Sequence, residues 1–411
     1  MAIVGVGSTP AAPVTPHLSY KELTYEAAVR AYSDAGIEPE DVESFVCVSE
    51  DFHEGTSIFD EYVPDQLGAV QKPVHTISGD GLHGTISAAL QILTGQFDLV
   101  VVEGHSKASN VLTPHHIANY ALDPVFNRPL GVNPHYVAGL EMARYLELTG
   151  TSREECARVV VKNRAHALLN PSGCFGATLT VEDVLGSPPV AEPLVELEIA
   201  PHSDVAYVIV LASEDAARTL RGSPIWIDGM GWSNDSPTLE TRDWNEAAYA
   251  RDAARMAYAK AGVQNPYREI DFAEVDDTYS YKELLHLEAL GLFRPGTAGG
   301  ATADGLTSLG GEFPVNPSGG CLGMGRMHEA SGLARLAEAM AQLRGEAGPR
   351  QVPDATRGLV MSWRGIPTTS GAVLVLSGDE GRGGGRWRAS CPARSVPAVQ
   401  RGRGPFPSPS Q

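Results

Sequence analysis

Residues 26–37 read EAAVRAYSDAGI and residues 252–263 read DAARMAYAKAGV. The two stretches agree without a gap at Ala27/Ala253, Ala28/Ala254, Ala31/Ala257, Tyr32/Tyr258, Ala35/Ala261 and Gly36/Gly262. Each is an Ala-rich helix that stops at glycine, the residue that accepts a left-handed C-terminal cap at least cost. Each follows a Gly-punctuated apolar strand, AIVGVGS (2–8) and IWIDGMGWS (225–233), and precedes another apolar run, SFVCVSE and DFAEVDD. Shared Ala content is the competing explanation, but it does not account for the same strand–helix–strand order at nearly constant offset. The chain therefore reads as two copies of one α/β unit with parallel sheet content.

Other segments fit that duplication. The first helix opens on a capping box, Ser19 with Glu22. GTISAALQILTGQFDLVVVEG (84–104) is a small-residue helix running into a buried strand, and SGLARLAEAMAQLRG followed by RGLVMSW and GAVLVLSG repeats the pattern. The expected organisation is a first half over 1–220, with a loop region rich in His, Asn and Pro at about 105–200, and a second half over 221–380. Residues 381–411 carry six Arg and no acid and read as a disordered basic tail. A length of 411 residues suits two packed halves.

The formal net charge of -19 argues against a nucleic-acid backbone or an anionic membrane as partner. A local helix-terminal site for an anion remains compatible with it. No apolar run approaches the roughly 20 residues of a membrane span, and the N-terminus lacks a signal-peptide pattern. The five cysteines are scattered and form no CxxC pair, so no disulfide framework or metal site is expected and a cytoplasmic location is.

The stretch CARVVVKNRAHALLNPSGCFGATLTVEDVLGSPPVAEPL (156–194), then PHSDVAYVIVLASEDAA, AEVDDTYSYKELLHLEALGL (273–292) and VNPSGGCLGMGRMHEASGLARLAE (315–338), together resemble the thiolase superfamily, in particular its sterol-carrier-protein-type branch. The resemblance implies an α/β, duplicated thiolase fold, five-layered α-β-α-β-α, usually dimeric. It also implies a CoA thioester as substrate, no other cofactor, and chemistry where the halves meet.

Thiolase chemistry needs a thiolate at a helix N-terminus, a second base, and donors for the thioester oxygen. By resemblance the nucleophile position falls on Ser78, in SGDGLHG; a capping or turn role competes with a nucleophilic one. The family's first histidine falls on Asp276 and its second on Arg326, which cannot act as a base but can hold an anion. His328, two residues on, is a partial substitute or a helix-start packing residue. The last cysteine position carries Ser362, and Cys321 reads as structural. Further polar candidates are Asp80, His83, Asp277, Tyr279 and Tyr281. Tyr279, Asp276, His328 and Ser78 are thus the catalytic candidates, and Arg326, Gly325 and Ser203 the CoA-binding ones. A retro-aldol carbon–carbon lyase acting on β-hydroxyacyl-CoA thioesters, in steroid or other side-chain degradation, tolerates the missing thiol. The resemblance adds a small OB-fold/zinc-ribbon partner. An acetyl-CoA acyltransferase and a non-catalytic CoA- or lipid-binding subunit are the alternatives.

Overall fold

Along the central strands alternate residues face opposite sides and both sides are apolar, so these strands belong in the middle of a stack rather than at its surface. The computed structural model describes residues 1–50, 64–220, 222–236, 238–365 and 369–378; the proposed tail lies outside the described residues. Nine strands form one sheet: β1 (Ala2–Ser8), β2 (Ser44–Val48), β3 (Val74–Ile77), β4 (Leu99–Ser106), β5 (Val205–Ala212), β6 (Ile225–Asn234), β7 (Phe272–Glu274), β8 (Arg357–Trp363) and β9 (Ser370–Ser377). Their spatial order is β3-β2-β4-β5-β1-β6-β9-β8-β7.

Outward from the centre, β1-β5-β4-β2 is repeated by β6-β9-β8-β7. In each series the first two pairings are antiparallel and the last is parallel. β3 lies parallel to β2, and its counterpart is reduced to a bridge between Ala273 and Val315. The two series meet through just two residue pairs, Ala2 with Trp226 and Ile3 with Ile225.

The helices that organise the molecule are α1 (Tyr20–Ala35), α2 (Gly81–Leu93), α3 (Pro114–Tyr120), α4 (Pro134–Thr149), α5 (Arg153–Ala167), α6 (Ala248–Ala261), α7 (Ser280–Ala289), α8 (Gly320–Met324) and α9 (Ser331–Arg344). Ala27, Ala31 and Ala35 of α1 pack with Val101, Val208 and Val210 on one face of the first series. Its other face, through Val100, Val102 and Ile209, meets Ile86 of α2 and Leu333 and Leu336 of α9. The same cluster takes in Val360, Leu374 and Leu376 of the second series. Val373 and Val375 point the opposite way, onto Ala253 and Ala257 of α6. The layers are therefore α1, sheet, α2 with α9, sheet, α6: the expected α-β-α-β-α stack.

The sequence repeat has a mechanical cause. A Cβ at Gly7 would stand 2.1 Å from the Ala27 carbonyl oxygen, and one at Gly231 2.1 Å from that of Ala253. Glycine on the strand and alanine on the helix are two sides of one close backbone contact, made once in each half. Both helices then end on left-handed glycines, Gly36 at φ 68° and Gly262 at φ 70°. The capping box of α1 forms as read, with Glu22 accepting from the Ser19 N–H at 2.9 Å.

Candidate functional site

The N-termini of α2 and α9, the two central helices, converge on one carboxylate. Asp80 accepts from the Leu82 N–H of α2 at 3.0 Å and from the Gly332 N–H of α9 at 3.1 Å. Gly332 has no room for a side chain, since its Cβ would lie 1.8 Å from Asp80 Oδ1. Burial raises the Asp80 pKa to about 6, against the pull of Arg335 and Ser362. Ser78 lies exposed just after β3, two residues before this cap.

A cleft opens beyond the carboxyl ends of β7 and β8, where ligands of α/β folds characteristically bind. Its wall contains Tyr279, Arg326, His328, His202, His115, His135, Trp363 and the Glu50–Arg364 ion pair. Pro114, Ile117, Ala118 and Ala121 of the α3 region give it an apolar side. Tyr279 caps α7 in extended conformation. Its ring is stacked on Tyr281 with centroids 6.1 Å apart and meets Trp363 edge-on at 6.2 Å, so the phenol has a fixed direction. The hydroxyl hydrogen-bonds Nδ1 of His135 at 3.0 Å. His135 stands in the first turn of α4, whose N-cap Asn133 accepts from the His135 N–H at 2.8 Å.

The electrostatics of the cleft follow from burial and cationic neighbours. Burial, then His115 and Arg326, lower the His135 pKa to about 4, which leaves a neutral imidazole at pH 7. Burial lifts the Tyr279 phenol above its usual range, partly offset by Arg326. Arg326 follows Gly325, whose φ of 96° and Cβ position 2.4 Å from Ser203 Oγ both require glycine. The Arg326 main chain is anchored to the 201–203 segment through its N–H to the Pro201 carbonyl at 2.6 Å and its carbonyl to the Ser203 N–H at 3.2 Å. Among the described residues no carboxylate forms an ion pair with the Arg326 guanidinium. His328 adopts φ 44°, a left-handed conformation costly for a side-chain-bearing residue, and its ring lies 5.0 Å from that of His202.

Behind this wall lies a buried charged layer. Arg335 of α9 donates to Asp276 Oδ2 at 2.5 Å and to Cys321 Sγ at 2.9 Å. Burial, the largest influence, opposes ionisation of Asp276, but Arg335, His286 and the Thr278 hydrogen bonds together hold the carboxyl below its ordinary value. The Cys321 thiol, in α8, is pushed far up by burial. Asp277 caps α8, accepting from the N–H groups of Cys321 at 2.6 Å and Leu322 at 3.1 Å. Under Tyr279, Lys282 pairs with Glu141 at 2.5 Å and lies 4.2 Å from the Trp363 ring centroid, while the Tyr281 hydroxyl donates to Glu141 at 2.6 Å.

Two family descriptions match in tandem: "Thiolase, N-terminal domain" over residues 1–181 and "Thiolase C-terminal domain-like" over residues 231–378. The chain belongs to the thiolase family. Acetyl-CoA acetyltransferase of Methanothermobacter thermautotrophicus is 31% identical over 385 residues, covering 92% of this chain and 99% of that protein. The steroid side-chain-cleaving aldolase of Thermomonospora curvata is 30% identical over 394 residues, with coverages of 92% and 98%. The solved Ltp2-ChsH2(DUF35) aldolase aligns with a TM-score of 0.80 at 28% identity, over 92% of this chain and 98% of that one.

Within the thiolase scaffold, the structure sorts the candidates by position. Tyr279, Arg326 and His328 line the cleft together. Asp276, Asp277 and Tyr281 are buried behind it, each engaged with protein partners. Ser203 is buried against Gly325, and Ser362 is buried beside Asp80. Ser78 and His83 stand at the start of α2 outside the cleft wall. His135, His115, His202, Trp363 and the Glu50–Arg364 pair were not among the residues the sequence singled out. The His- and Pro-rich character of 105–200 was the available signal, and it gave no pairing with Tyr279. Among the described residues no cluster of His, Cys, Asp and Glu is placed to hold a metal, and no helix is long and apolar enough to cross a membrane.

Proposed function

We propose that this thiolase-family chain is a carbon–carbon lyase that cleaves β-hydroxyacyl-CoA thioesters by a retro-aldol reaction. The observation that carries the reading is a cleft lined by a phenol, an arginine and histidines, with no cysteine among its described lining residues. By resemblance the nucleophile position carries Ser78 rather than cysteine, the buried Cys321 thiol is tied to Arg335, and Tyr279 and Arg326 line the same cleft.

The reaction balances without an acyl-enzyme. The β-hydroxyl loses its proton and becomes a carbonyl, and the Cα–Cβ bond breaks. The electron pair moves into the thioester as an enolate, and Cα then takes up a proton to give the shortened acyl-CoA. Tyr279 is placed to accept the hydroxyl hydrogen, and Arg326, with its charge unshared, to face the enolate oxygen. His328 and His202 lie beside Arg326 as further donors. Asp276 acts from behind by holding Arg335, and Ser78 needs no covalent role. Gly325 and Ser203 shape the turn that presents Arg326.

Two likenesses support the lyase reading: the steroid side-chain-cleaving aldolase, and a solved aldolase whose title names a second component, ChsH2(DUF35). A small OB-fold/zinc-ribbon partner, a homodimer and a cytoplasmic setting belong to the same proposal. The likeness to an acetyl-CoA acetyltransferase keeps an acyltransferase as the second reading. The test is to incubate the chain, alone and with a DUF35-type partner, with a β-hydroxyacyl-CoA bearing a tertiary alcohol, and to follow products by mass spectrometry. A ketone plus shortened acyl-CoA supports the lyase. A covalent acyl-protein adduct supports the acyltransferase, and binding without turnover a CoA- or lipid-binding subunit.

A further inference from the structure

Tyr279 poses a chemical difficulty for the lyase. Its phenol is fully buried and held well above the usual range, so a free phenolate is not the species that meets the substrate at neutral pH. Something must receive the phenol's own proton as the phenol takes one from the substrate. The geometry points to His135 as that receiver, in a relay running from the substrate β-hydroxyl to the Tyr279 oxygen and from the Tyr279 hydroxyl to His135 Nδ1.

Three observations carry the assignment, which rests on the lyase reading. The first is the 3.0 Å contact between the Tyr279 hydroxyl and His135 Nδ1, the only bond the structure gives that hydroxyl among the described residues. When the phenol donates to Nδ1, its remaining lone pair is free for a substrate hydroxyl, and His135 must be the tautomer carrying hydrogen on Nε2. The second is that both ends of the relay are immobilised. Tyr279 is held by Tyr281 and Trp363, and His135 is fixed in the first turn of α4 and met edge-on by His115 at 4.7 Å. The third is charge. The titratable and charged groups facing His135 are Tyr279, His115 and Arg326, and the same cleft adds His202, His328 and the Glu50–Arg364 pair. Burial above all, with the Arg326 cation beside it, keeps the resting imidazole neutral, and a neutral imidazole is what a proton acceptor requires.

The bookkeeping is closed within the site. One proton leaves the substrate hydroxyl, one passes from Tyr279 to His135, and the phenol ends neutral as it began. As the phenol then delivers its proton to Cα of the enolate, the imidazolium returns its own to the Tyr279 oxygen, and both residues end as they began. His135 acts through Tyr279 and is therefore a positioning and proton-receiving partner rather than a group on the reacting carbon. It is contributed by the segment that precedes α5, whereas Tyr279 comes from the second half of the chain.

The test uses the full chain with its partner and the β-hydroxyacyl-CoA above, comparing wild type, His135→Gln, Tyr279→Phe, the double variant and His116→Gln, which alters an exposed neighbour outside the cleft. Gln retains a side-chain hydrogen-bonding group beside the phenol but cannot take a proton. The expected result is a fall in kcat of roughly 100-fold or more for either single variant with KM within about threefold, and a double variant no slower than the worse single. His116→Gln should behave as wild type. Wild-type kcat should decline on the acid side as pH drops through about 4, and that limb should vanish in His135→Gln. A His135→Gln variant within threefold of wild-type kcat, or strictly additive losses, overturns the relay while leaving the lyase reading intact. A wild-type chain that binds the thioester and never cleaves it overturns the lyase reading and the relay with it.

Discussion

Asp80, at the head of α2 in the central helical layer, accepts a hydrogen bond from the main-chain N–H of Gly332 in α9, the equivalent helix of the second half, 3.1 Å away. One side chain thereby caps two helices that the sequence separates by most of the chain. Asp80→Ala should leave the Leu82 and Gly332 N–H groups unsatisfied and remove a negative partner from Arg335, a loss of about 2 kcal/mol or more. Gly332→Ala meets the same carboxylate sterically and should be at least as damaging. Urea denaturation of both variants checks this, and midpoints equal to wild type would contradict it.

The matched glycines predict matched damage. Gly7→Ala and Gly231→Ala each push a methyl group onto a helix carbonyl at the same 2.1 Å. Both should destabilise by about 1–3 kcal/mol, the usual range for an overpacked site, and by similar amounts. A large loss in one and none in the other would mean that the two contacts are not equivalent.

Stability should depend on pH with a definite sign. Burial raises Asp80 to about 6, Asp277 to about 7 and Glu274 to about 8. A carboxyl raised on folding contributes stability that is complete below its unfolded value and is lost as pH rises through the folded one. For Asp80 that contribution is on the order of 3 kcal/mol. Asp276 and Glu141 are shifted down by Arg335 and Lys282 against the cost of burial, so their contributions are lost as pH falls through their folded values. The urea midpoint should therefore peak on the acid side of neutrality and decline between pH 6 and 8, and Glu274→Gln should flatten that decline.

Lys282→Met should cost about 3–5 kcal/mol, because Glu141 would remain charged and buried without its cation. Lys282→Met combined with Glu141→Leu should recover part of that loss. Thermal unfolding of the single and double variants provides the comparison.

Cys321 should be inert. Its thiol is buried and shifted upward, so iodoacetamide at pH 7.5 should label it far more slowly than an exposed thiol, and Cys321→Ser should retain activity within a few-fold. Rapid labelling that abolishes activity would restore a sulfur-based mechanism.

The duplication was legible because it rests on backbone contact. Where a strand touches a helix this closely only glycine and alanine fit, and both copies had to keep them. Tyr279, Arg326 and His328 were legible because the segments carrying them follow the family's order, and they do gather at one cleft. The resemblance also drew attention to Asp276, but the sequence did not show that Arg335, in a helix 59 residues further on, would take up that carboxylate. His135 was hidden for the converse reason. Its partner lies 144 residues away, in a part of the chain with no periodicity to align it, so only the folded geometry joins them.

The seam between β1 and β6 has a consequence for how such a molecule assembles. β1 hydrogen-bonds β5 and β6 and no strand nearer in sequence, so it waits for partners among the last of the first half and the first of the second. Until those arrive its apolar edge stays open, and closing so long a loop is slow compared with forming the local helices. The growing chain is thus most vulnerable to mispairing between synthesis of β1 and synthesis of β6.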